Sequence, residues 1–226
     1  WKFGRNDRDV WGVDLATGER KKVLEKVRHY FGASPTGTKL TWSDGKDFWA
    51  LDLATGARTN LSESLTSTGK ADFVDRDDDH PNNVPPEINP AGWDKTGSVY
   101  LVNDTYDVWR LKADGSGGTK LPDGAKGGVV HRLVNFATGP NPFAVVAPLD
   151  RAFDLTKPVY FTLRGKKTKQ SGFAMRGANG AMSTIVLADA SHGALVRADS
   201  APVFAYTRQR YDASPVLRVG TDIDNA

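Results

Sequence analysis

The densest chemistry in the sequence is the run Asp75-Arg76-Asp77-Asp78-Asp79-His80, four carboxylates and an imidazole within six positions. Alternate aspartates can bring oxygens round a hard cation such as calcium, and the spacing opens like the loop of an EF-hand. It then departs from that pattern: the sixth position is His80 rather than glycine, the twelfth is Pro86 rather than glutamate, and no helical pattern flanks it. The run therefore reads as a solvated loop, with Asp75, Asp77, Asp78, Asp79 and His80 as candidates for contact with a substrate or a neighbouring domain, and no metal ligand is assigned. His29, His80, His131 and His192 lack the short spacings of zinc ligands, and cysteine is absent. A serine nucleophile on a strand-to-helix elbow needs Gly-x-Ser-x-Gly, which exposes the hydroxyl beside backbone donors for the oxyanion. The nearest phrase, Asp114-Gly115-Ser116-Gly117-Gly118, lacks the first glycine and sits in a turn. No catalytic residue and no cofactor is assigned; a triad of distant residues is a question for three dimensions. Arg164, Lys166, Lys167 and Lys169 surround Gly165 between two strand signals, the composition of an exposed hairpin tip without the aromatic platforms of a nucleic-acid groove.

The elements that must position these residues are announced by an internal repeat. Asp9-Val10-Trp11-Gly12-Val13-Asp14-Leu15-Ala16-Thr17-Gly18 returns as Asp47-Phe48-Trp49-Ala50-Leu51-Asp52-Leu53-Ala54-Thr55-Gly56, 38 residues on. A third copy, Asp107-Val108-Trp109-Arg110-Leu111, follows after 60 more, and the same offset aligns Pro35-Thr36-Gly37-Thr38 with Lys95-Thr96-Gly97-Ser98. Trp49, Leu51 and Leu53 alternate with Phe48, Ala50 and Asp52, so in a strand one face packs and the other is mixed. Gly18 and Gly56 suit the left-handed position of a hairpin turn, and Asp114-Gly115-Ser116-Gly117 offers similar chemistry. A second apolar strand precedes each of the later tryptophans, at Leu40-Thr41-Trp42 and Val99-Tyr100-Leu101-Val102. Two more pairs follow, 158–163 with 172–176 and 203–207 with 216–219. About five units of short strands, a recurrent strand tryptophan and no helical pattern predict an all-β fold: a β-propeller of four-stranded antiparallel blades. Trp11, Trp49 and Trp109 are then expected as core between blades. Such blades bury their faces on one another, so the five units either close a small ring or belong to a larger one, and the larger ring is expected.

Composition sets the bounds. The 226 residues are 39% hydrophobic, with 30 Lys plus Arg against 27 Asp plus Glu and a net charge of +3, which suits an ordinary globular protein. The excess is too small to make nucleic acid or an anionic membrane the expected partner. No stretch approaches the roughly 18 apolar residues of a membrane-spanning helix, and Trp1-Lys2-Phe3-Gly4-Arg5 lacks the layout of a signal peptide. No linker divides the chain, so residues 1–226 are expected to form one domain, opening on a strand in progress as a piece of a larger protein would.

The phrases Pro35-Thr36-Gly37-Thr38-Lys39-Leu40, Asp47-Phe48-Trp49-Ala50-Leu51-Asp52 and Tyr206-Thr207-Arg208-Gln209-Arg210-Tyr211-Asp212-Ala213-Ser214-Pro215 resemble propeller blades of bacterial prolyl oligopeptidase and dipeptidyl-peptidase relatives. The acidic run followed by Pro85-Pro86 and Gly92-Trp93 is similar to a loop of that group. The resemblance covers essentially the whole chain. It implies a non-catalytic propeller that gates peptide access and shapes the cleft, with a following α/β-hydrolase domain, absent from this chain, as its partner and peptide as substrate. It also implies a periplasmic or secreted location. TolB-type propellers share the blade phrases, and the alternative is a free-standing propeller that binds another protein.

Overall fold

The computed structural model describes residues 7–79, 81, 85–122, 124–138 and 148–223. Five antiparallel sheets follow one another along the chain. The first pairs β1 (Arg8–Val13) with β2 (Arg20–Val27); the second runs β3 (His29–Ala33), β4 (Lys39–Ser43), β5 (Phe48–Asp52), β6 (Arg58–Asn60). A one-turn helix, α1 (Glu63–Thr66), leads to the third, β7 (Gly92–Trp93), β8 (Val99–Asn103), β9 (Val108–Lys112), β10 (Gly118–Lys120). The fourth is β11 (Val129–Leu133), then α2 (Pro148–Arg151) in the connection, β12 (Val159–Gly165), β13 (Ser171–Arg176), β14 (Met182–Ala188). In the fifth, β15 (Ser191–His192) and β16 (Val196–Arg197) pair in tandem along one edge of β17 (Phe204–Arg210), while β18 (Ala213–Gly220) takes the other. Among the described residues helix is confined to single turns, and the five sheets fall on the five predicted units.

The repeated Asp-Leu-Ala-Thr-Gly phrase is a turn with a mechanism. Asp52 Oδ1 accepts the backbone N–H groups of Ala54 and Thr55, and Gly56, at φ +75°, returns its N–H to the Asp52 carbonyl. Asp14 does the same with Ala16, Thr17 and Gly18. The Thr55 N–H bonds and the Lys39 ammonium hold the Asp52 carboxyl down at about 2. A second recurrent device fixes the opposite hairpin ends. Asp44 accepts the Trp49 indole N–H at 2.9 Å, and Asp104 the Trp109 indole at 2.7 Å, while the other oxygen of each caps its own loop. The tryptophan is thus tied to its hairpin as well as packed.

Period-two alternation then buries both faces of each central blade. On β8, Tyr100 and Val102 pack back onto Phe48, Leu61 and Phe73, while Leu101 packs forward with Phe161 and Leu163. Side chains of this kind contribute about 1.5–3 kcal/mol each when fully buried. Four apolar clusters lie between successive sheets, one per seam, which is the packing of propeller blades. The face of β5 expected to be mixed is interior too: Phe48 is 0% exposed and Ala50 2%, because the third blade covers them. Trp109 is buried and Trp49 half-buried on Trp42, but Trp11 is 53% exposed, which corrects its placement as inter-blade core. It lies on the first sheet, whose cluster with the second blade is built from Leu24 and Val27 instead.

In each four-strand meander the central hairpin tips and the blade-to-blade connections fall at the same ends of the strands. One face of the propeller therefore carries the tips β4–β5, β8–β9, β12–β13 and β17–β18. The same face carries the β6–β7 connection, where the repeat lengthens from 38 to 60 residues and where the acidic run lies.

Candidate functional site: a charged cleft between the third and fourth blades

The base of the acidic loop is closed by backbone. Val74 and Glu87 form an antiparallel bridge, the Asp75 N–H donates to the Pro86 carbonyl at 2.8 Å, and the Ile88 N–H to the Phe73 carbonyl at 2.7 Å. Glu87 is buried and meets the ring of His29 through Oε1, which ties the loop to the first strand of the second blade. The base of the loop is thus fixed to the second blade.

Across from it, the third blade is sewn to the fourth. The His131 N–H donates to the Tyr106 carbonyl at 2.7 Å, and the Arg132 guanidinium donates to the carbonyls of His131, Asp104 and Thr105. Burial pulls the Arg132 pKa below its usual value, opposed by Asp104, Asp107 and Asp75, and an arginine stays charged regardless. The β8–β9 tip that presents Thr105 and Tyr106 is anchored from below by Asp107. This carboxylate is wholly buried, accepts the Gly124 N–H and pairs with Lys120 at 2.8 Å.

These pieces enclose a cleft of about 930 Å³. It is lined by Asp75, Asp77 and Ile88 from the β6–β7 connection, Thr105 and Tyr106 from the β8–β9 tip, Val130 and Arg132 from β11, and Arg164, Lys166, Lys167 and Lys169 from β12 and the β12–β13 tip. The walls touch: Lys166 Nζ lies 2.7 Å from Asp77 Oδ2 and 5.4 Å over the Tyr106 ring, and Asp77 raises the Lys166 pKa.

Of the residues singled out in the acidic run, the structure brings Asp75 and Asp77 to the cleft. Asp78 is half-buried and Asp79 exposed, both outside its lining, and His80 lies outside the described residues. The basic tip, expected as a solvated hairpin, is exposed at Arg164, Lys167 and Lys169 but faces this cleft, which its composition did not disclose. Tyr106 and Arg132 were not singled out; no local pattern marks them, since their role comes from a blade seam. Among the described residues no group of three or more His, Asp or Glu is placed to hold a metal ion.

One serine and one histidine do meet. Ser171 Oγ is 3.0 Å from His192 Nδ1, but the hydroxyl donates to the Ala190 carbonyl at 2.7 Å and accepts the His192 backbone N–H at 2.9 Å. His192 Nε2 is buried with no carboxylate on it among the described residues. Burial, then Arg208, lower the His192 pKa. The hydroxyl is committed to backbone, and the arrangement is a clasp between the fourth and fifth blades, not a nucleophile and its base.

No protein-family model matches the chain, and no curated protein matches it. Among solved structures, oligogalacturonate lyase from Vibrio parahaemolyticus is similar at a TM-score of 0.53 and 10% identity, over 97% of this chain and 58% of that one. TolB from Acinetobacter baumannii matches at 0.43 and 11%, over 96% of this chain and 47% of that one. Acylaminoacyl peptidase from Pyrococcus horikoshii matches at 0.32 and 12%, over 97% and 41%. The chain spans about half the length of the first two. With the seams described above, the likeness to the lyase establishes the class: the chain is a β-propeller.

Proposed function

We propose that this chain is a non-catalytic propeller of a larger serine peptidase resembling the prolyl oligopeptidase group, with its cleft-bearing face turned towards peptide and a hydrolase domain. The observation that carries this reading is the gathering of the inserted acidic loop and the hairpin tips on one face around a charged cleft, while the Ser171–His192 contact between the fourth and fifth blades has its hydroxyl held by backbone. A charged, open-walled cleft suits a peptide, which offers backbone and side-chain charges along its length. The end sheets expose Trp11, Val13, Val216, Leu217 and Val219, apolar surface that further blades of a larger ring would cover. A free-standing, TolB-like binding propeller uses the same face and is the rival.

Two measurements test the proposal. Incubated with alanyl-prolyl chromogenic substrates, the chain is expected to release no chromophore; turnover abolished by a serine-directed inhibitor overturns the non-catalytic assignment. The reading frame beyond Ala226 is expected to continue through roughly two hundred residues or more with Gly-x-Ser-x-Gly, then Asp and His in that order. A stop within a blade or two selects the rival instead.

A further inference from the structure

The cleft is not neutral. Five cations and two carboxylates line it, an excess of three positive charges. The carboxylates are already engaged: Asp77 pairs with Lys166, and Asp75 Oδ1 accepts the Asp77 N–H at 3.0 Å. Arg132 is committed to three carbonyls. That leaves Arg164 and Lys167 with no carboxylate partner among the described residues, and Lys169 with only the Lys166 carbonyl at 2.9 Å. Lys169 also sits at φ +62°, a left-handed conformation that strains a residue with a side chain and that glycine would adopt freely. The tip keeps a cation where backbone geometry favours none.

The same tip separates the cleft from a second one of about 600 Å³ between the fourth and fifth blades, and both are lined by Arg164 and Lys169. Tyr211, fully exposed, also lines that second cleft. The two clefts thus flank one basic ridge.

We propose that the ridge of Arg164, Lys167 and Lys169 is a carboxylate subsite for an extended peptide lying across both clefts; this deepens the peptide-facing reading above and rests on it. The carboxylate is a side chain or a chain terminus, the chemistry being the same. A guanidinium supplies a two-pronged donor and the ammonium groups add point charge.

The test is fluorescence anisotropy of the chain with a labelled Ala-Pro-Ala-Glu-Ala-Pro-Ala peptide blocked at both ends, its counterpart with glutamine, and the glutamine peptide with a free C-terminal carboxylate. At low ionic strength the glutamate peptide is expected to bind about tenfold more tightly than its blocked glutamine counterpart, and the gap is expected to narrow in about 0.5 M salt. The double variant Lys167→Glu/Lys169→Glu is expected to abolish the preference, and Arg164→Gln to reduce it, with melting temperatures unchanged. If the free-terminus peptide matches the glutamate peptide, the subsite takes a terminus; if it does not, a side chain; both outcomes support it. Equal binding of acidic and neutral peptides by the unaltered chain overturns the subsite and leaves the peptide-facing reading standing. No binding of any peptide at millimolar concentration overturns both.

Discussion

Asp107 and Asp47 occupy the same place in successive blades, at the start of the tryptophan strand, but they hold different things. The Asp107 carboxylate, 0% exposed, accepts the Gly124 N–H through Oδ1 and pairs with Lys120 through Oδ2. In Asp107→Ala the Gly124 donor is left buried without an acceptor, at about 1–3 kcal/mol. The Lys120 side chain is one-third exposed and can turn to water, so the lost ion pair adds about 1 kcal/mol or less. The expected total is roughly 2–4 kcal/mol. Asp47 instead accepts the hydroxyls of Ser62 and Thr66, each at 2.7 Å. Those hydroxyls have substitutes at hand, Asn60 Oδ1 at 3.4 Å and the Ser62 carbonyl at 3.3 Å, so Asp47→Ala is expected to cost only about 1–2 kcal/mol. Asp107→Asn keeps an acceptor for Gly124 and should recover half the loss or more. Urea unfolding followed by tryptophan fluorescence, with the slope checked for constancy, measures all three. If Asp107→Ala proves no costlier than Asp47→Ala, or Asp107→Asn as costly as Asp107→Ala, the reasoning from stranded donors fails.

A Cβ on Gly172 would lie 1.8 Å from the Val186 carbonyl oxygen in the adjoining strand. Gly172→Ala should therefore cost about 3 kcal/mol or more and lower the melting temperature by roughly 6–12 °C; a shift under about 2 °C would contradict the close approach of β13 and β14. Phe161→Ala, at a side chain 0% exposed in the seam under the cleft, is expected to cost about 3–5 kcal/mol in the same urea assay. Burial holds the pKa values of His131 and His192 below the ordinary imidazole value, so the unfolded chain binds more protons below about pH 6.5. Stability should then fall as pH drops from about 7.5 to 5.5, and His131→Gln with His192→Gln should flatten the dependence of the urea midpoint on pH; an unchanged slope would remove the histidines from the account.

The hairpins were legible in the sequence because their causes are local. Alternation at Phe48-Trp49-Ala50-Leu51 sets the strand, and Asp52 with Gly56 sets the turn, all within nine residues. The lengthened spacing between the second and third tryptophans was visible in the sequence, whereas the face that carries the extra residues follows only from the strand topology. Exposure was less legible: Trp11 and Trp49 have nearly the same neighbours in sequence, yet only Trp49 has another tryptophan, Trp42, stacked on it. The cleft was half legible. Asp75 and Asp77 drew attention by their density, but their counterpart Lys166 lies in another blade, and a pairing across so many residues leaves no mark in local composition. Arg132 shows the same limit, since its acceptors are carbonyls, which every residue owns.

The opposite walls of the cleft belong to different blades, and the Phe161–Leu101 seam beneath them, the Arg132 hydrogen bonds and the Lys166–Asp77 pair at the rim together set how wide they stand. Any rocking of one sheet on the next, with its fulcrum in that apolar layer, would be amplified at the rim in proportion to height, as with the jaws of a clothes peg. A guest that grips both jaws would act as a splint, and the same leverage means that trimming a side chain at the fulcrum alters the gape without touching any group that meets the guest.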